Sequence, residues 1–320
     1  MGSNMRVPLR VGIKILFKFY LIDKFTGKSR CVSGWCGNTL LTSGRNNLAS
    51  LAWFTNCVVG TDNTAPAAGQ TALLGYVASN TSLEETVVSA QASSPFYGWK
   101  RKRFRFDSNS GIANENLNEV AISWATGSGD VCTNRALIVD ISGIPVTISP
   151  LADEILDVVV EVRYYPPLSD ATGTVVLDGL TYDYILRAAV VTSTSAWGDN
   201  IGSKIVSLSA DPSHWKAYDD DIGTIEQYPN GVGTNSASTN DFTNAYINNS
   251  YQIVFGMASG PTGWNVLTGK LLRSLQFFTT AGHYQIQFDS QSSPGNGIPK
   301  TSAEVLTFQF VLNWEEEIIP

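Results

Sequence analysis

Apolar and polar residues alternate with period two along much of the chain. The alternating runs are broken by Gly, Asn, Asp, Ser and Pro. "KILFKFYLI" (14–22), "EVAISWA" (119–125), "ILDVVVEVRYY" (155–165), "GTVVLDGLTYDYILRAAVVTS" (173–193), "YQIVFGM" (251–257) and "HYQIQFD" (283–289) are rich in β-branched and aromatic residues and read as strands. Helical period is scarce. "TSGRNNLASLAWFTN" (42–56) offers Thr42 or Ser43 as a cap and Leu48, Leu51, Ala52 and Phe54 as a partial stripe, which predicts a short helix near residues 43–54. "TSLEETVVSAQ" (81–91) is a weaker helical candidate. Many short strands and little helix predict a mainly β protein of two tandem antiparallel sandwich- or barrel-like domains.

The boundary is expected at "YYPPLSDATGT" (164–174), where paired prolines cannot continue a ladder and a polar run follows. It divides the chain into domains 1–167 and 168–320. Gly143-Ile144-Pro145 and Gly297-Ile298-Pro299 each fall shortly before the last strand of their half. Each is followed by an acid and an apolar pair, Glu154-Ile155-Leu156 and Glu304-Val305-Leu306. The segment 100–124 has a looser counterpart in 271–289, two runs joined by a polar turn. A duplicated fold would repeat its closing turn and strand; coincidence of a tripeptide is the alternative.

Charge narrows the partners. With 15% charged residues and a net charge of −7, bulk electrostatics does not attract nucleic acid. No stretch of about eighteen apolar residues is present, so membrane insertion is not expected. The opening segment is basic and partly apolar, but Lys14 and Lys18 interrupt it and no small-residue cleavage site follows, so it reads as a strand rather than a secretory signal. Arg6 also stands where a myristoylation signal needs Ser or Thr. Four irregularly spaced cysteines make no disulfide or zinc framework and suit a reducing cytoplasm.

"WKRKRFRF" (99–106) departs from the low-charge trend. As a strand it places Arg101, Arg103 and Arg105 on one face and Lys100, Lys102, Phe104 and Phe106 on the other. The acidic Glu315, Glu316 and Glu317 offer a partner, in the same chain or a neighbouring copy. Together with Phe104 and Phe106 as apolar contacts, these residues form the candidate interface; a solvated strand is the alternative.

Catalytic chemistry is hard to find. His214 and His283 have no evident Cys or Asp companion, and no nucleophile elbow, H-E-x-x-H, phosphate loop or G-x-G-x-x-G occurs. Asp219, Asp220 and Asp221 with Glu226 crowd oxygen ligands together but lack a calcium-loop pattern, so an exposed turn is expected. No catalytic, cofactor-binding or metal-binding residue is nominated. The polar stretch 228–250 suits hydrogen bonding to sugar or protein, or is merely solvated.

"GNTLLTSGRNNLASLA" followed by "CVVGTDNTAPAAGQTALLG" resembles the opening of a group of tailed-bacteriophage structural proteins. The matching positions are Asn38, Leu41, Thr42, Gly44, Leu48 and Ala49, then Val59, Gly60, Thr61, Thr64, Ala65, Pro66, Thr71, Ala72 and Leu73. "NRALIVDISGIPVTI" and the closing "FVLNW" are similar to that group's later motifs, while Asp62 replaces a usual Gly and an acidic tail follows Trp314. The resemblance carries no catalytic residue. It implies a virion component of the tail (tip, baseplate or fibre-associated), assembled in the host cytoplasm as a ring or trimer with other virion proteins. A receptor-recognising module for bacterial surface polysaccharide or pili is the alternative, and a glycan-cleaving enzyme the third reading.

Overall fold

The computed structural model describes residues 5–50, 52–107, 109–125, 131–177, 179–197, 201–206, 215–231, 233–235, 239–259, 271–299 and 305–317. His214 and Glu304, singled out above, lie outside the described residues. The protein is mainly β. The first half contains β1 (Met5–Asp23), β2 (Ser29–Cys31), β3 (Thr39–Leu40), α1 (Thr42–Asn47), β4 (Asn56–Gly60), β5 (Tyr76–Asn80), β6 (Leu83–Ala90), β7 (Gly98–Phe106), β8 (Glu119–Ser123), β9 (Asn134–Leu137) and β10 (Glu154–Tyr165). The second contains β11 (Ala171–Leu177), β12 (Leu180–Ala189), β13 (Trp215–Tyr218), β14 (Thr234–Asn235), β15 (Thr239–Thr243), β16 (Gln252–Ser259), β17 (Leu271–Leu272), β18 (Ser274–Thr279), β19 (Gly282–Ser290), β20 (Ile298–Pro299) and β21 (Leu306–Glu316).

Strands of both halves build one long sheet, ordered β15-β16-β21-β1-β10-β7-β6, with β2 beside β1. The chain leaves this sheet at Pro166-Pro167, and β21 returns to lie parallel to β1 from Met5↔Phe308 to Ile13↔Glu316. A five-stranded sheet, β3-β9-β8-β4-β5, belongs to the first half, and a six-stranded sheet, β11-β12-β19-β18-β13-β14, to the second. One buried core joins the inward faces of all three. Alternation explains it: β1 turns Val7, Leu9, Val11, Ile13, Ile15, Phe17 and Phe19 inward, β10 turns Val158, Val160, Val162 and Tyr164, and β21 turns Phe308, Phe310, Leu312 and Trp314.

Two copies of one topology are present. Reading β3-β4-β5-β6-β7-β8-β9-β10 against β12-β13-β14-β15-β16-β18-β19-β21 reproduces both strand orders: β3-β9-β8-β4-β5 matches β12-β19-β18-β13-β14, and β6-β7-β10 matches β15-β16-β21. The two Gly-Ile-Pro tripeptides lie in the corresponding connection, but not at the same place in it. Ile144 sits in an exposed turn (60% exposed), whereas Ile298 is buried (3%) and pairs with Leu272. The first-half equivalent of that pair is the Leu117↔Ile148 bridge. The segments 100–124 and 271–289 are out of step by one strand: the β18–β19 hairpin matches β8–β9, not β7–β8.

Two helical expectations change. α1 ends at Asn47, short of residue 54, and its N-cap is Leu41 with no side-chain cap from Thr42 or Ser43. Residues beyond it are drawn off by other contacts, with the Trp53 and Phe54 N–H groups donating to the Gly202 carbonyl at 2.9 and 3.2 Å. The segment near Ser82 is strand β6, because its Val and Thr residues pair with β7.

Candidate functional site

The outward face of the long sheet collects a dense group of charged and aromatic side chains. Register sets the pairs: on β7 and β10, Arg105 faces Asp157, Arg103 faces Val159, and Arg101 faces Glu161. Asp157 and Glu161 are buried (0% and 2% exposed) although they point to this outer face, because arginines close over them. Arg105 binds Asp157 in a fork, Nε to Oδ1 at 2.8 Å and Nη2 to Oδ2 at 2.9 Å, and reaches Glu84 at 2.7 Å. The hydrogen bonds it donates to the Asp157 carboxylate hold the Arg105 guanidinium pKa above its ordinary value. Arg103 lies between Glu85 at 3.3 Å and Asp157 at 3.7 Å. Glu161 accepts from Arg101 Nε at 2.9 Å and from Arg163 Nε at 2.6 Å.

Aromatic rings complete the face. Arg101 stacks between Trp99 (4.7 Å) and Trp35 (5.7 Å), Arg163 lies over Tyr97 (4.6 Å), and Arg103 over Tyr20 (5.9 Å). Arg101, Arg103 and Arg163 are thereby each held by both a carboxylate and a ring. Such a patch is preorganised for contact, and Trp, Tyr and Arg are the residues that dominate interface energetics.

The expected composition of the interface needs correction in two respects. Phe104 and Phe106 are fully buried in the core, since even-numbered side chains of β7 point inward, so neither touches a partner. The arginines pair with Asp157, Glu161, Glu84 and Glu85 rather than with the C-terminal acids, and the buried Arg103 Nε has no hydrogen-bond partner among the described residues. Glu315 instead pairs with Arg10. Glu316 accepts from the Leu40 N–H at 3.3 Å, with burial raising its carboxyl above the usual range. Glu317 lies across Gly12, where a Cβ would collide with it. Arg10, Gly12, Phe96, Tyr165, Glu315 and Glu317 line much of a cavity of about 440 Å³ beside Pro166 and Pro167.

Lys102, on the inward face of β7, donates to the Phe54 carbonyl and lies 4.7 Å over its ring. Burial, with a smaller push from Lys100, lowers its amine from 10.5 to about 8. The unfolded chain therefore holds this proton where the folded chain has released it, so folding stability should rise from about pH 8 towards pH 10. Lys102→Met should flatten that rise in urea titrations compared at about pH 7.5 and 9.5, the upper value chosen below ordinary tyrosine ionisation.

A second cluster holds residues of the segments 59–73 and 134–137 in place. Arg135, fully buried, donates to Glu119 (2.6 Å), Asp62 (3.0 Å) and Gln70 (3.2 Å). Glu119, equally buried, also accepts from the N–H groups of Gly75 (2.6 Å) and Leu74 (3.3 Å). The loop between β4 and β5 is thus pinned to the chain's own sheet, and Cys132 N–H donates to the Thr71 carbonyl at 2.8 Å. Gly44 lies against the Thr133 backbone with no room for a Cβ. Asp62, where the motif usually has Gly, gives Arg135 a partner and accepts from Thr64 N–H at 2.7 Å, the main cause of its lowered carboxyl pKa. Neither Asp157–Glu161 nor this clamp is evident from the sequence; the strongest available signal was two acids four residues apart on one face of an apolar strand.

Other candidates take local roles. Asp221 pairs with Arg273 at 2.6 Å, and His283 stacks on Phe278 at 3.9 Å with Nδ1 3.1 Å from the Tyr228 hydroxyl. In the polar stretch, Tyr246 packs on Trp314 at 5.6 Å and its hydroxyl donates to Asn46. Cys31 is exposed and Cys36, Cys57 and Cys132 are buried, all as free thiols. Searches of protein-family models, curated proteins and solved structures find no match to the chain.

Proposed function

We propose that this chain is a non-enzymatic structural protein of a tailed-bacteriophage virion, placed in the tail and assembling with copies of itself and other virion proteins. The observation that carries this reading is the structural use made of much of the motif: Arg135 closes the clamp on Glu119 and Asp62, Gly44 packs against backbone, and Leu41, Leu48, Val59 and Leu73 lie in the core. The preorganised arginine and aromatic face gives such a part a contact surface. Immunogold labelling and mass spectrometry of purified particles should find the chain at a fixed place in the tail in a symmetric copy number. Its absence from purified particles would refute the reading.

The cavity bounded by Arg10, Phe96, Tyr165, Glu315 and Glu317 favours a second reading, recognition of surface polysaccharide. Rings that stack on sugars stand there beside charges that bind hydroxyls. Calorimetry with host capsule oligosaccharides should give heat that Tyr165→Ala reduces; no heat with any fragment would dismiss it.

A further inference from the structure

Every open sheet has edges, and this chain guards most of its own. In the long sheet, β6 carries Glu84 and Glu85 after Leu83 at a register irregularity, and β15 has Asp241 at its centre. β3 and β14 have two residues each, and β5 is short and pairs irregularly with β4 at Val59/Gly60. β11 is different. Its seven residues, Ala-Thr-Gly-Thr-Val-Val-Leu, hold regular register with β12 throughout and contain no charge, proline or bulge. Such an edge is a template for another strand.

The ladder shows which groups of β11 have no strand partner among the described residues. The Thr181 carbonyl accepts from Gln291 N–H at 3.0 Å, on the side away from β11. The Val176/Thr181 pair is therefore a non-hydrogen-bonded pair, and alternation makes Thr174/Asp183 and Thr172/Ile185 the same. Thr172, Thr174 and Val176 consequently turn their N–H and C=O groups to the open edge. Their side chains are also exposed, Val176 by 58%, while Val175 and Leu177 point into the core.

We propose that β11 pairs with β11 of a second copy of this chain, antiparallel about Thr174, joining the two six-stranded sheets across a two-fold axis. This rests on the self-assembling part of the proposed function and supplies its contact. Self-complementarity singles out a second copy. Centred on Thr174, the pairing sets Thr174 against its own mate, Thr172 against Val176 and Gly173 against Val175, with about two backbone hydrogen bonds for each outward pair. The seven residues of the strand carry no charge, and Asp170 just before them is paired with Arg187 at 2.6 Å. Asp183, opposite Thr174 on β12, would be about 14 Å from its mate, three strand spacings and beyond the screening length. Leu168 (43% exposed) and Leu180 (43%) flank the edge and extend its apolar surface.

Light scattering on the full chain should give a dimer or a higher multiple of it. Thr174→Pro should reduce it towards half that mass: the lost N–H points outward, so the intrachain ladder with β12 is untouched, and unchanged circular dichroism and melting would confirm the fold. Thr174→Lys is the second variant and should act alike. Register is tested by cysteine cross-linking in a Cys31→Ser background, where the remaining thiols are buried. Thr174→Cys should cross-link to itself, and Thr172→Cys to Val176→Cys but not to itself. A monomeric wild type, a dimer indifferent to both Thr174 variants, or self-linking of Thr172→Cys overturns the proposal. A Thr174-dependent dimer missing from purified particles would leave the edge pairing intact and sink the virion reading instead.

Discussion

Arg135→Met is expected to destabilise the chain by about 3–5 kcal/mol, a large part of the roughly 5–15 kcal/mol typical of a folded domain. The reason is what remains. Glu119 is fully buried, and without Arg135 its carboxylate keeps only the Leu74 and Gly75 N–H groups. Asp62 and Gln70 lose their tie to the sheet together, so amides of the loop between β4 and β5 should exchange faster. Adding Glu119→Gln should recover at least half of the loss, since a neutral amide oxygen still accepts from Gly75 while no charge is stranded. Urea unfolding of the wild type, both single variants and the double variant measures this. A loss below about 1 kcal/mol for Arg135→Met would show that the clamp does not hold the loop.

The local pattern was legible and the long-range pairing was not. Alternation placed β1, β10, β12, β16 and β19 because each buries one face, a signal that survives without knowledge of the partner strand. The same pattern separated Arg101, Arg103 and Arg105 from Phe104 and Phe106, yet the inward pair was assigned to an outside partner. Nothing in a single strand says which of its faces is the core. The arginines' true partners, Asp157 and Glu161, lie some fifty to sixty residues away on the neighbouring strand, and only register brings them together. Residues 81–91 misled for the opposite reason: Glu84 and Glu85 suit an exposed helix turn, but pairing with β7 overrode local propensity. The tripeptide repeat pointed to duplicated topology through residues that do not superpose, since Ile144 and Ile298 differ in burial.

Trp197→Ala should cost about 3–5 kcal/mol, the range for removing a large buried ring, and should loosen the joint between the halves. Trp197 is 2% exposed and comes from the second half, just after a 3-10 turn at Thr194–Ala196. Its ring occupies the space that a Cβ on Gly98 of β7 would need, and it also lies against Gly282 at the start of β19. One side chain therefore packs on strands of both halves. The chain then continues to Gly202, whose backbone at φ +93° is one that glycine adopts without strain, and whose carbonyl takes the N–H groups of Trp53 and Phe54. Ile205 N–H closes the contact on the Leu48 carbonyl at 2.8 Å. Gly98→Val attacks the same joint from the other side and should cost about 1–3 kcal/mol by overpacking, because the buried indole would have to shift to admit the new side chain. Since both changes act on one contact, the double variant should lose clearly less than the sum, the valine filling part of the space the indole leaves. Strict additivity in urea unfolding would mean that Trp197 does not rest on Gly98, and the joint would have to be sought elsewhere.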